Sequence, residues 1–172
     1  MRETIRAWAI FTAIFLLWIT FFNIIGSAKT SRYLKQDIVF AAHDAALMID
    51  ESYLSDGKIV FKKGPTLEES PTFQAFIDSI EFNTGLKYEA NSFTSSDPSF
   101  YEDTFSVVTF EMIDDETHTF PYVFKHPIYD IEVSVPGPSI VAVIETYGKK
   151  YFGTTNMKRI TRATIYTVNS PN

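Results

Sequence analysis

Residues 7–25 read AWAIFTAIFLLWITFFNII, an apolar run interrupted only by Thr12, Thr20 and Asn23, and no charge lies between Arg6 and Lys29. About 19 residues at helical rise cover roughly 28 Å, close to the hydrocarbon thickness of a bilayer. A lone segment in lipid satisfies its backbone groups only as a helix, so the run predicts a membrane-spanning helix. Its anchoring side chains are Trp8, Phe11, Phe15, Leu16, Leu17, Trp18, Phe21 and Phe22. Trp8 falls where an interfacial ring is expected.

The rival reading is a cleaved signal peptide. Arg2 and Arg6 would form its basic region, and Gly26-Ser27-Ala28 supplies small residues at a cleavage site. Secretory apolar cores run about 7–15 residues, and the longer run here favours a retained anchor over residues 1–28. Arg2 and Arg6 precede the run while Lys29, Arg32 and Lys35 follow it, so basic residues give almost no preferred orientation. The shortness of the segment ahead of the run places the C-terminal part outside the cell. A net charge of −6 with a pI near 5.0 opposes a nucleic-acid partner. The absence of cysteine removes disulfides, thiol catalysis and Cys-zinc sites together, and suits the outer face of a Gram-positive bacterium better than an animal ectodomain.

Residues 29–172 suffice for one extracytoplasmic domain with its own core. Leu34, Ile38, Ala41, Ala45 and Met48 recur at steps of four, three, four and three, which predicts an amphipathic helix over 29–54, continuous with the anchor and kinked at Gly26-Ser27. Alanines dominate this stripe, so a partner surface could approach it closely. Ser55-Asp56-Gly57 signals a turn, and 58–61 reads as a short strand. A second helix starts at Thr66 or at Ser70-Pro71 and runs to Phe82, where Asn83-Thr84-Gly85 stops it. Strands follow over 86–90, 104–113, 117–124, 129–135, 140–147 and 160–168, with 91–103 as a polar loop. The expected fold is α+β: a long N-terminal transmembrane-plus-amphipathic helix, then a mostly antiparallel sheet domain with one further helix.

Reactive groups form no catalytic signature. Asp114, Asp115, Glu116 and His118, with His126 further on, could ligate a metal only by converging, and three acids between two strands normally make a solvated turn. His43 and Asp44 are adjacent on a helix, where neighbours point apart. No nucleophile elbow, phosphate loop or His pair at metal-binding spacing occurs. The aromatics of 118–124 (HTFPYVF) read as core and cross-strand residues before they read as a ligand face. The chain is therefore expected to be non-enzymatic and to need no cofactor.

The apolar run, the continuation FAAHDAALMID, and DGKIVFKK leading into FQAFIDSIEFNTGL together resemble TadE-like and other pilin-like proteins of bacterial tight-adherence and type IV pilus machinery. The resemblance covers about the first half of the chain. It implies a membrane-anchored minor subunit or assembly factor, able to oligomerise, whose partners are the lipid bilayer and other pilin-like or secretion-system membrane proteins. Under that resemblance Glu3 would help to set the register between packed subunits. The alternative expectation is a membrane-tethered ligand-binding or sensory domain acting through a partner protein.

Overall fold

The computed structural model describes residues 1–95, 101, 104–147 and 159–168. The chain opens with one uninterrupted helix, α1 (Arg2–Ala46), of 45 residues. At 1.5 Å per residue it is about 67 Å long. It passes through Gly26 without a break, where the sequence suggests a kink. α1 also ends earlier than the residue 54 expected from the pattern. Past Ala46 the backbone finds partners elsewhere: Lys62 N–H donates to the Met48 carbonyl at 2.8 Å, Asp50 N–H donates to the Val60 carbonyl at 2.8 Å, and Ile49 bridges Phe61. These bonds replace the helical ones and divert the chain across the domain. The Asp50 carboxylate then accepts from Ser52 N–H at 3.0 Å and starts a short 3-10 turn, Glu51–Asp56. The expected strand at 58–61 is reduced to this single bridge.

The second helix, α2 (Pro71–Thr84), takes the later of its two candidate starts. Proline at its first position lacks the N–H that would be orphaned there. Ser70 Oγ makes no capping bond and donates to the Lys62 carbonyl at 2.9 Å, tying the helix start to the incoming segment. Gly85, at φ 71°, closes the helix in the left-handed conformation.

The strands are β1 (Lys87–Glu89), β2 (Ser92–Thr94), β3 (Phe105–Ile113), β4 (Tyr122–Lys125), β5 (Glu132–Val135), β6 (Ser139–Tyr147) and β7 (Arg159–Thr167). Among the described residues they form an antiparallel sheet in the order β1-β2-β3-β6-β7 and a separate β4-β5 hairpin. β2 occupies a stretch that reads as loop, because its hairpin turn is Ala90-Asn91 with both residues at positive φ (48° and 64°). Such turns normally carry glycine, and none marks this one.

β6 lies between β3 and β7, and its central run IVAVI is buried on both faces. Ile140, Ala142 and Ile144 face the helices, with Phe110 and Ile160 beside them. From α1 come Leu34, Ile38, Ala41, Ala42, Ala45 and Ala46, and from α2 Phe73, Phe76, Ile77 and Ile80. The opposite face presents Val141 and Ile113 to Phe124 and Val135 of the β4-β5 hairpin. Two helices thus cover one face of the sheet and a hairpin covers part of the other.

Ile38 is completely buried between these layers. Ile38→Ala is expected to lower head stability by about 2–5 kcal/mol, read as a shifted urea midpoint of the detergent-solubilised chain. Phe40→Ala, on the exposed side of the same helix, is expected to change it by less than about 0.5 kcal/mol.

Candidate functional site

The N-terminal half of α1 is largely exposed. Trp8, Phe11, Phe15, Leu16, Leu17, Trp18 and Phe21 are all 46–71% exposed, and Phe22 is half-buried. Their rings run along the helix as contacts Trp8–Phe11, Phe11–Phe15, Phe15–Trp18 and Trp18–Phe22, at centroid separations of 4.5–6.4 Å. In water this surface would oppose folding through the hydrophobic effect, whereas hydrocarbon removes that penalty. The two hydroxyls of the run are already satisfied: Thr12 Oγ1 donates to the Trp8 carbonyl and Thr20 Oγ1 to the Leu16 carbonyl, each at 2.9 Å. A lipid-exposed threonine needs such a bond, since lipid offers none. By length and composition this is one helix able to cross a membrane. Glu3, suggested as a register contact between subunits, pairs with Arg6 of its own chain at 3.1 Å, with both side chains exposed.

The stripe expected to serve as an assembly face is occupied within the chain itself. Leu34, Ile38, Ala41 and Ala45 are all fully buried against α2 and the sheet of the same chain, and Met48 lies beyond the helix end. The alanines do admit a close neighbour, but that neighbour is the chain's own domain. The stripe is therefore closed to another subunit in this fold.

What remains open on α1 is the opposite side, where it borders α2 in a groove of about 610 Å³. Phe40, Asp44, Ala75, Asp78, Ser79, Phe82 and Asn83 line it. Phe82 is 90% exposed, Phe40 is half-exposed, and Leu47 further along α1 is 60% exposed. Ser79 Oγ donates to Asp44 Oδ2 at 2.6 Å, and His43 Nδ1 lies 3.2 Å from Asp44 Oδ1. Helix neighbours thus do meet here, contrary to the expectation that they point apart. The carboxylate sits between hydroxyl and imidazole, so the imidazole has no contact with the serine and takes no proton from it. A nucleophile needs the reverse order. The His43 ring instead meets the edge of Tyr166.

The acidic turn and the other histidines are structural joints. The Asp114 carboxylate is wholly buried and lies 3.0 Å from Lys63 Nζ, and it accepts from Thr117 Oγ1 at 2.8 Å. Burial pushes this carboxyl up, but the bonds from Lys63 and Thr117 outweigh burial and hold it below the usual carboxylate range. Asp115 accepts from Ile59 N–H at 2.7 Å, and Glu116 pairs with Lys63 at 2.8 Å. The turn therefore clamps 59–63 to the end of β3. His118 bonds Thr117 and meets the Tyr122 ring. His126 is buried: its Nδ1 accepts from Ile128 and Tyr129 N–H at 3.1 Å, which makes Nε2 the donor to Thr109 Oγ1 at 2.8 Å. Thr109 precedes Asp114 by five strand positions, about 17 Å. Among the described residues no three metal-ligating groups come together, so Asp114, Asp115, His118 and His126 do not assemble as a hydrolase centre requires.

No protein-family model, curated protein or solved structure matches the chain. None of these comparisons points to a TadE-like or pilin-like family.

Asp114→Asn is expected to cost about 1–3 kcal/mol at pH 7 by weakening the Lys63 clamp. Because the folded carboxyl titrates below its unfolded value, its contribution is full above the unfolded pKa and fades as pH falls through the folded one. Urea midpoints of wild type and variant should therefore stay apart at neutral pH and converge only below about pH 4.

Proposed function

We propose that the chain is a membrane-anchored, non-enzymatic structural or assembly subunit of a cell-surface apparatus, pilin-like in kind, with its α+β head outside the cell. The observation that carries this reading is that the span and the main core helix of the head are one helix, α1. With no linker between them, the head has a fixed height and tilt relative to the bilayer. That suits a part positioned within an assembly, whereas a tethered receptor normally gains from a flexible connection.

The alanine stripe is closed, so a partner would meet the outer side of α1 and the end of α2. Phe40, Leu47 and Phe82 supply exposed apolar surface there, and Asp44 and Asp78 supply acceptors. Aromatic anchors beside a few polar groups are common at the centres of protein interfaces. The same groove is what favours the second reading, a tethered domain that binds a small ligand, for which open concave sites with a few convergent polar groups are usual.

Photo-crosslinking residues placed at Phe40 and Phe82, in the membrane of the native organism, are expected to give a defined higher-mass species. The same residue at Ile128 should not. Phe82→Asp should abolish that species and leave the head folded, since Phe82 contributes almost no buried area. Monomer alone at all three positions would rule out the assembly reading. A saturable thermal shift with a small molecule, lost in Asp44→Asn, would favour the ligand-binding one.

A further inference from the structure

The lower edge of the head overlaps the end of the span. Gly26 and Thr30 of α1 are buried, only one and five residues past the apolar run. Arg162 of β7 hydrogen-bonds Ser31, and Tyr166, four residues on, meets His43. β7 therefore runs alongside α1 in the same sense, with its Arg159 end toward the span. Ser31 lies six residues past Ile25, about 9 Å along the helix, and Arg159 lies three strand positions lower, about another 10 Å. The interfacial layer on each side of the hydrocarbon is about 5–8 Å deep. A span at 7–25 thus brings the base of the head into the headgroup layer, with no intervening water gap.

The base is also where positive charge collects in an acidic protein. Lys29, Arg32 and Arg162 are exposed, and among the described residues none of them has an ion pair. Two acids, Glu145 on β6 beside β7 and Asp37 on α1, already accept hydrogen bonds. Glu145 accepts from Arg159, from Tyr129 at 2.5 Å and from Thr161 at 3.2 Å, and half-buried Asp37 accepts from Tyr101 at 2.5 Å. Tyr147, paired with Arg159 at the same end of the sheet, is 47% exposed, as suits an interfacial aromatic. We infer that the base of the head is an anionic-lipid docking surface, in which Lys29, Arg32 and Arg162 hold the phosphate groups of acidic phospholipids in the leaflet next to it. Basic residues beside a span gain Coulomb attraction from a negative leaflet, and guanidinium pairs with phosphate in bidentate geometry. The inference rests on reading 7–25 as a span.

The test is reconstitution of the full chain in phosphatidylcholine vesicles containing phosphatidylglycerol, with spin-labelled forms of each lipid reporting which associates with the protein. Arg2→Gln/Arg6→Gln serves as background, so that the far end of the helix cannot supply selectivity. Preference for phosphatidylglycerol over phosphatidylcholine is expected to be about threefold or more at low salt and to fall toward parity in 1 M salt. Lys29→Gln/Arg32→Gln should reduce it, and adding Arg162→Gln should abolish it. Among the described residues the Lys29 and Arg32 side chains make no hydrogen bond or ion pair, so the double variant separates charge loss from misfolding. Equal association of the two lipids, or selectivity unchanged in the triple variant, would overturn the docking surface. Extraction of the chain by alkaline carbonate would instead overturn the span, and the docking surface with it.

Discussion

The fold depends on the contact between one side of α1 and the layer formed by α2 and β6. Leu34, Ile38, Ala41, Ala42, Ala45 and Ala46 have essentially no exposed surface there. Alanine lets helix and sheet approach closely, and the bulk that fills the gap comes from Phe73, Phe76 and Phe110, whose rings contact one another at centroid separations of 4.9–6.3 Å. Because the helix that makes this contact also carries the apolar run, burial of the stripe joins head and span mechanically.

That union separates the two halves of α1 by their solvent. Up to about Phe21 nearly every side chain is exposed, and the apolar surface surrounds the helix. From Gly26 onward one side is buried in protein while the other carries Lys29, Arg32, Gln36, Phe40 and His43. A helix that changes from uniformly apolar to one-sided within a few residues marks the boundary between hydrocarbon and water. Among the described residues Lys29, Arg32 and Arg162 at the base have no ion pair, while Asp114, Asp115 and Glu116 are tied into a joint elsewhere in the head.

Those joints give the polar clusters that look reactive in the sequence a structural role. Asp114 fixes 59–63 to the sheet, His126 holds the turn before β5 against β3, and Asp44 links α1 to Ser79 of α2. Among the described residues every buried side-chain nitrogen and oxygen has a hydrogen-bond partner. Beside the Asp44–Ser79 link, Phe40 and Phe82 of the groove stay exposed.

The sequence by itself determined what local pattern and composition control. The 19-residue run 7–25, apolar but for Thr12, Thr20 and Asn23, makes a helix long and apolar enough to cross a membrane whatever the rest of the chain does. Ser70-Pro71 and Gly85 bound α2, and alternating or β-branched runs mark β3, β5, β6 and β7, since these signals act within a few residues. Tertiary structure decided the rest. α1 stops at Ala46 because backbone groups of 60–62 compete for the next residues, and β2 exists because Ala90-Asn91 accepts a turn that no glycine announces. The periodicity of Leu34, Ile38, Ala41 and Ala45 shows that one side of the helix is covered but not by what, because a stripe buried by its own domain and one buried by another subunit have the same period. The groove of Phe40, Asp44 and Phe82, and the base of Lys29, Arg32 and Arg162, each unite residues from different elements. Only folding brings those residues together, because they come from elements far apart in the chain and local pattern does not record their meeting.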